Sequence, residues 1–362
     1  MKRREAVVIT VLFALLLVLP LVITLISPKK SFLEFENKSV DSFSKIVKEK
    51  SVLSGEFGRA FEDWFSQNMV GRESLVKLKR RTDAVFGIFQ TNGVIIGENE
   101  LFNIPMSVDE EVLANNILQI NLFANKFSGN KTFILVPSAA DVFPDSLPSL
   151  APKTKESEVV DRVYSSVKGV ETLDVYKALH ALSYNEAFYR TDHHWTSRGA
   201  AEVYKAWMGE REFEFETVSE SFFGTIVSTS AEDMLEPDKI EKIKTGERFS
   251  LTTPIEHRDS MYYDFYLDKK DKYSYFLGTN KPLVILESDV DTGRVLLVFK
   301  DSYAHTFAQC LADDFDKVIL VDPRYINAPL STLVDLSEVT DTLFLFSTEV
   351  MTTVKFLGFM NL

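Results

Sequence analysis

The chain of 362 residues contains one cysteine, Cys310, which excludes an intramolecular disulfide bond. Positive charge is also scarce, because 40 lysines and arginines stand against 53 aspartates and glutamates, a formal net charge of −13. A surface that binds nucleic acid must neutralise many phosphates, so this charge argues against a nucleic-acid partner. It fits a domain that is soluble outside the cell, or one that acts on a neutral substrate such as a sugar.

A long apolar run lies at the N-terminus. Three basic residues among the first four precede an uncharged stretch from Ala6 to Ile26, which matches the ~20 residues that a membrane-spanning helix needs. Positive charge before the run predicts that the N-terminus lies inside and the rest of the chain outside. Residues 1–27 are therefore expected to form a single-pass membrane anchor. The alternative is a cleaved signal segment, which would make the protein secreted.

The rest of the chain divides into a helical linker and a larger domain. Residues 28–90 carry apolar side chains at helical spacing and predict amphipathic helices. Across residues 91–362, short apolar runs alternate with helical stretches, a pattern typical of a mainly parallel sheet. Residues 209–290 interrupt this alternation with short aromatic and β-branched segments, such as 222–227 and 262–267. This interruption predicts a small antiparallel insertion.

Two adjacent histidines lie beside a carboxylate in the segment TDHHWT, residues 191–196. Thr196 suits the N-cap of a following helix, so the histidines lie in the turn before it. Asp192 and His194 are two positions apart and point to the same side of an extended segment. An aspartate that accepts from one imidazole nitrogen prepares the other nitrogen to take a proton. The pair is therefore a candidate general base; the alternative is a purely structural hydrogen-bonded turn.

Ser302 lies between a predicted strand, 295–299, and a helix that starts near residue 305. A serine at such a turn has the geometry of a nucleophile elbow, and the amides at the helix start can stabilise an oxyanion. The Gly-x-Ser-x-Gly signature of α/β-hydrolases is absent, and a helix-capping serine is the alternative. A serine needs an adjacent base to act as a nucleophile. Sequence spacing does not show whether Ser302 and His194 meet.

A metal centre is another alternative. Asp301 and His305 flank the candidate serine and, with Asp192, His193 and His194, offer nitrogen and oxygen ligands. Such a centre would imply a metal-assisted hydrolase. Adjacent histidines diverge in extended backbone and rarely bind one ion together. We therefore expect no metal and no cofactor.

The DHHW segment, residues 192–195, resembles the motif of the DHHW protein family of Gram-positive bacteria. That family is similar to the SGNH-hydrolase-like domain of the periplasmic alginate O-acetyltransferases, whose Thr-Asp-x-His-Trp-Thr pattern matches residues 191–196. The serine block of that domain resembles residues 300–303, followed after the next strand by 321–325. The likeness runs from about Phe57 to the C-terminus. It implies an α/β fold, a three-layer SGNH-hydrolase-like (flavodoxin-like) domain.

The resemblance also implies roles for the candidate residues. Ser302 is the implied nucleophile, His194 the general base, and Asp192 the residue that orients the base. Contacts to the substrate or the oxyanion are implied for Tyr303, Arg324 and His193.

The function expected on this basis is acetyl transfer to a cell-surface or secreted polysaccharide, through an acetyl-serine intermediate. The resemblance further implies a membrane-bound O-acyltransferase as a partner that exports the acyl group. Two alternatives stay open. One is a carbohydrate acetylesterase that uses the same three residues, and the other is a non-catalytic polysaccharide-binding subunit of an export complex.

Overall fold

The computed structural model describes residues 3–33, 38–105, 107–232, 234–326 and 328–356. The chain forms two compact units, one of residues 1–88 with 228–234 and one of residues 89–227 with 235–362. The helices are α1 (Arg3–Ile26), α2 (Phe43–Glu49), α3 (Glu56–Asn68), α4 (Arg72–Val85), α5 (Glu110–Lys126), α6 (Ala139–Val142), α7 (Glu156–Ser166), α8 (Tyr176–His180), α9 (Tyr184–Ala187), α10 (Ser197–Met208), α11 (Thr225–Ser230), α12 (Ala304–Phe307) and α13 (Thr348–Thr353). The strands are β1 (Phe32–Leu33), β2 (Lys38–Ser39), β3 (Gln90–Thr91), β4 (Val94–Ile96), β5 (Leu101–Asn103), β6 (Asn130–Val136), β7 (Glu171–Leu173), β8 (Phe215–Phe222), β9 (Asp238–Ile243), β10 (Ser250–Thr253), β11 (Glu256–Arg258), β12 (Leu283–Glu287), β13 (Val295–Lys300), β14 (Lys317–Val321) and β15 (Asp341–Ser347).

The first unit contains α1 to α4 and a hairpin of β1 and β2. An 18-residue window of α1 has a mean hydropathy of 3.2, and among the described residues this is the one helix long and apolar enough to cross a membrane. At 1.5 Å per residue, a helix of 24 residues spans about 36 Å, more than the ~30 Å of a hydrocarbon core. A small core in this unit joins Leu33, Val40, Ile46 and Trp64.

The second unit is built on an eight-stranded sheet in the order β11-β10-β12-β14-β13-β15-β6-β7. Strands β14, β13, β15, β6 and β7 pair in parallel. Strands β12, β10 and β11 extend the β14 edge in antiparallel fashion. The sheet is therefore mainly parallel, which confirms the predicted α/β fold class.

Alternating side chains of the central strands fill two separate cores, one on each face of the sheet. In β15, Leu343 and Leu345 belong to one core, whereas Phe344 and Phe346 belong to the other. Helices α10 and α12 pack on the first face, and α5 and α7 on the second. Strands that are buried on both faces read as continuous apolar runs, which is why β6, β13 and β15 are visible in the sequence. The result is a three-layer arrangement.

The region of the antiparallel insertion differs in detail from the sequence prediction. Strands β8 and β9 form their own antiparallel pair, while β10, β11 and β12 join the main sheet. Residues 225–230 are helical, and residues 264–268 form a 3₁₀ turn, although both segments are rich in β-branched or aromatic residues. Strand propensity reflects packing on a pleated surface, and tertiary contacts override it here.

Candidate active site

The turn that carries the two histidines is held by contacts on both sides. Thr196 caps α10, since its Oγ1 accepts hydrogen bonds from the N–H groups of Arg198 and Gly199, both at 3.1 Å. Trp195 is fully buried, and its Nε1–H donates to the carbonyl oxygen of Tyr303 at 2.9 Å. At the other end, Asp238 accepts from the Thr191 N–H at 2.9 Å. Asp192, His193 and His194 therefore lie in a turn that is hydrogen-bonded at both ends.

The structure brings Asp192, His194 and Ser302 together as a hydrogen-bonded triad. His194 Nδ1 lies 2.6 Å from Asp192 Oδ1, and His194 Nε2 lies 2.8 Å from Ser302 Oγ. A carboxylate can only accept, so Nδ1 carries the ring proton and Nε2 is free to accept from the serine hydroxyl. Ser302 and His194 are 108 residues apart in the chain. This is the arrangement in which a histidine acts as general base towards a serine.

The carboxylate of Asp192 is buried and fully engaged. Its Oδ1 also accepts from the His194 N–H at 3.1 Å, and its Oδ2 accepts from the Thr225 N–H at 2.8 Å and the Thr225 hydroxyl at 3.0 Å. Burial alone would raise the pKa of this carboxyl, but the charges of His193 and His194 and the hydrogen bonds from His194 and Thr225 lower it below its ordinary value. Asp192 therefore stays ionised.

The imidazole of His194 is kept neutral. Burial, followed by the neighbouring charge of His193, lowers the pKa of His194 to about 4 against the opposing effect of Asp192. The ring of Tyr273 stacks on His194, with the centroids 3.8 Å apart and the planes 9° apart. The Tyr273 hydroxyl donates to the carbonyl oxygen of Ser302 at 2.9 Å. Tyr273 thus contacts both the base and the segment of the serine.

Ser302 lies at the turn between β13 and α12, and Asp301 holds this turn in place. Asp301 is completely buried; its Oδ1 accepts from the Tyr303 N–H at 2.9 Å, and its Oδ2 accepts from the N–H and hydroxyl of Ser347, both at 2.7 Å. Because β13 and β15 are neighbours, this carboxylate ties the end of one strand to the end of the other. The serine side chain remains partly exposed.

A buried cluster of charges lies next to the serine block. Lys300 Nζ donates to His305 Nε2 at 3.1 Å and lies 3.4 Å from Asp322. Arg324 donates to both oxygens of Asp322, at 2.9 and 2.7 Å. Burial lowers the pKa of Lys300 and, together with the charge of Lys300, that of His305. Arg324 is thus committed to an ion pair with Asp322, and its role as a substrate or oxyanion contact stays a prediction.

His193 and Tyr303, the other two candidates for substrate contacts, border the triad. The ring of His193 lies 3.9 Å from that of His194, and its Nδ1 lies 3.2 Å from the Thr225 hydroxyl. The Tyr303 hydroxyl donates to the carbonyl oxygen of His193, and the Tyr303 ring lies 5.1 Å from that of His194. Both residues therefore help to form the wall of the site.

Within the part of the chain that the structure describes, Asp192, His193 and His194 could hold a metal ion, because their ligand atoms lie within 4.8 Å of one another. Asp301 and His305, the two further ligands considered from the sequence, are engaged with Ser347 and Lys300. Both ring nitrogens of His194 are used by Asp192 and Ser302, so an ion here would have to replace one of these hydrogen bonds. The donor set therefore fits a proton-transfer triad better than a metal centre.

Sequence reasoning missed two residues that complete the site. Tyr273 lies in the insertion, where the many aromatic residues give no local sign of its role. Thr225 supports Asp192 from the start of α11, directly after Gly224. A Cβ atom at Gly224 would overlap Asp192, so a glycine is needed at this position. The glycine directly before Thr225 is the only feature of the sequence that points to the contact between Thr225 and Asp192.

Residues 115–232 match the family described as the SGNH hydrolase-like domain of the acetyltransferase AlgX. Among solved structures, the chain is similar to a DHHW family protein from Eubacterium siraeum DSM 15702, with 24% identity, a TM-score of 0.62, and coverage of 73% of this chain and 93% of that one. It is also similar to PatB1 of Bacillus cereus, solved with a sulfonyl adduct, with 17% identity, a TM-score of 0.60, and coverage of 73% and 96%. A comparison with curated proteins gives no match. The resemblance inferred from the TDHHWT segment is thereby confirmed, and the second unit has an SGNH-hydrolase-like fold.

Proposed function

We propose that this protein is an extracytoplasmic carbohydrate O-acetyltransferase that works through an acetyl-serine intermediate on Ser302. The observation that carries the proposal is the pair of short hydrogen bonds, 2.8 Å from Ser302 Oγ to His194 Nε2 and 2.6 Å from His194 Nδ1 to Asp192. The match of residues 115–232 to an acetyltransferase domain supports acetyl as the transferred group.

In the first step, His194 Nε2 takes the hydroxyl proton of Ser302, and Oγ attacks the carbonyl carbon of the acetyl donor. The resulting tetrahedral oxyanion collapses to acetyl-Ser302 when the donor's leaving oxygen departs with the proton from His194. Asp192 stabilises the imidazolium that exists between these two transfers.

In the second step, a sugar hydroxyl takes the place of the donor. His194 removes its proton, the sugar oxygen attacks the acetyl carbon, and Ser302 leaves and regains a proton from His194. The backbone N–H of Ser302 donates to no group among the described residues, which leaves it available to an oxyanion. Water can take the place of the sugar because Ser302 is partly exposed, so acetyl-ester hydrolysis is the second candidate activity.

Helix α1 supports an extracytoplasmic site on the membrane surface. A membrane anchor at the N-terminus would hold the domain near a polysaccharide of the cell envelope and near a membrane-bound O-acyltransferase that supplies the acetyl group. The length and composition of α1, with Arg3 and Arg4 in its first turn, support this placement.

The test is acetyl release and transfer by the full chain in detergent micelles, with p-nitrophenyl acetate as the donor. We expect Ser302→Ala to lose at least about 10³-fold in rate, because the nucleophile itself is removed. Ser165→Ala, an exposed serine on α7, serves as the matched control and should retain full activity. Unchanged activity in Ser302→Ala would refute the proposal.

A further inference from the structure

A cavity of about 440 Å³ lies at the edge of the sheet where the parallel strands end. Its lining includes residues that follow β6, Ser138 and Ala139, and residues that follow β15, Thr348 and Glu349. Strand β15 lies between β6 and β13, and Ser302 follows β13. Ligands of open α/β sheets bind in such crevices, and the volume falls in the range of small-molecule sites.

The cavity contacts the triad without containing the reacting atoms. Asp192, His193 and Tyr303 contribute to its lining, whereas Ser302 and His194 do not. The Tyr303 hydroxyl donates to the carbonyl oxygen of His193, so two lining residues on either side of the reacting pair in the chain are joined to each other. A sugar unit held in the cavity would therefore lie beside the unit whose hydroxyl reacts at Ser302, as the next unit of a polymer chain does.

The surface of the cavity combines apolar and hydroxyl-bearing side chains. Ile104, Val108 and Ala139 supply apolar surface, and Ser138 and Thr154 lie among them. A sugar ring has apolar faces and hydroxylated edges, and this mixture suits both. The deep carboxylate, Glu156, is already occupied, because it accepts from the N–H and the hydroxyl of Ser138.

The charges at the rim of the cavity decide which sugars fit. Each of the three basic residues of the lining has an acidic partner: Arg162 pairs with Glu110 at 3.0 Å, Lys155 pairs with Glu158 at 3.0 Å, and His193 Nδ1 lies 3.6 Å from Asp192. Glu349 is exposed and forms no ion pair among the residues that the structure describes. A uronic acid would thus meet an unpaired carboxylate and no unpaired cation, and like charges brought together disfavour binding.

We propose that this cavity is a subsite for an uncharged sugar unit, the neighbour of the unit that receives the acetyl group, and that it discriminates against uronic-acid chains. The identification of the occupant as part of the acceptor rests on the proposed function. The cavity's position at the triad and its unbalanced negative charge carry the inference.

The test measures glycan binding to the full chain in detergent micelles, in a Ser302→Ala background that cannot turn over. The probes are chitopentaose, which is uncharged, and pentagalacturonate, which carries one carboxylate per unit. We expect calorimetric titration to show binding of chitopentaose, and binding of pentagalacturonate that is at least about tenfold weaker. Equal or tighter binding of pentagalacturonate, or binding of neither probe, would overturn the subsite.

Three added variants locate the effect. Glu349→Lys should strengthen binding of pentagalacturonate at least about tenfold, because an opposed charge becomes an attractive one. Asp161→Lys, an exposed carboxylate on α7 outside the lining, changes the net charge equally and should have no effect. Ile104→Trp should fill the cavity and abolish binding of chitopentaose while the melting temperature stays unchanged. Equal effects of the two lysine variants would attribute the preference to net charge and refute the subsite.

The outcomes separate this inference from the proposed function. A chain that binds chitopentaose but never releases acetyl with an intact Ser302 would refute the acetyltransferase and leave a glycan-binding subsite. A chain that transfers acetyl but binds neither probe would retain the activity and refute the subsite.

Discussion

Replacing Asp192 by asparagine preserves the shape of the side chain but removes half of its hydrogen-bond acceptors. Oδ1 accepts from the N–H and Nδ1–H of His194, and Oδ2 accepts from the N–H and hydroxyl of Thr225. Asparagine has one carbonyl oxygen and one NH₂ group, so in either orientation one set of donors faces another donor. Each set includes a backbone N–H that cannot turn away.

Both orientations of the amide damage the base. If the NH₂ group faces His194, it donates to Nδ1, the ring proton moves to Nε2, and Ser302 loses its acceptor. If the carbonyl oxygen faces His194, the tautomer survives, but the charge that stabilises the imidazolium is lost and the Thr225 N–H is left unsatisfied, at a cost of ~1–3 kcal/mol. We expect Asp192→Asn to lower kcat/KM by about 10⁴-fold, or ~5.4 kcal/mol, the loss known for this change in serine triads.

The assay is acetyl release from p-nitrophenyl acetate, with the melting temperature measured in parallel. Asp335→Asn is a matched control, because its carboxylate accepts from the Ser337 N–H at 3.0 Å and the Ser337 hydroxyl at 2.6 Å and takes no part in the triad. This control should retain its activity. A folded Asp192→Asn variant with kcat/KM within about tenfold of the wild type would refute the assignment of the triad.

Three further predictions concern His194 and its surroundings. Tyr273→Phe keeps the stack on His194 and loses one hydrogen bond to Ser302, so its kcat should fall about fivefold. Tyr273→Leu loses both contacts, so its kcat should fall about 30-fold while KM stays unchanged. Equal losses of kcat in the two variants would contradict a role for the stack. Because the pKa of His194 is lowered to about 4, kcat/KM should stay constant above pH 6 and decline only as pH approaches 4. The pKa of His194 in the folded protein is thus lower than its ordinary value of 6.5. Between pH 4 and pH 6.5 the unfolded state therefore binds more protons than the folded state, so the free energy of unfolding should fall as pH drops from 6.5 towards 4. An acid limb near pH 6.5 in the rate profile, or a stability independent of pH in this window, would show that His194 is not buried as a neutral ring.

Much of the fold could be predicted because the central strands are buried on both faces and read as apolar runs. Strands β6, β13 and β15 are visible for this reason, as is helix α1. The insertion was harder, since β10, β11 and β12 join the main sheet rather than forming a separate one. Residues 225–230, rich in β-branched side chains, are helical, and Thr225 at the start of this helix donates to Asp192, a distant contact that local strand propensity does not encode.

The local chemistry of the site was also visible in the sequence. The turn of residues 191–196 pairs a carboxylate with an imidazole at a spacing of two and ends in a helix cap, and all of these contacts are short-range. Ser302 could be placed at a strand-to-helix turn for the same reason. Arg324, for which the resemblance implied a substrate or oxyanion contact, is paired with Asp322, only two positions before it in the chain.

The sequence by itself determined the anchor-like helix, the alternation of strands and helices, and the two halves of the triad, because each depends on residues that are close in the chain. Only the tertiary structure decided that these halves meet. The order of strands in the sheet differs from their order in the chain, so β13 with Ser302 lies between β14 and β15, and the turn of His194 closes over it across 108 residues. The stack of Tyr273 on His194 and the position of Glu349 at the cavity likewise depend on the packing of distant segments.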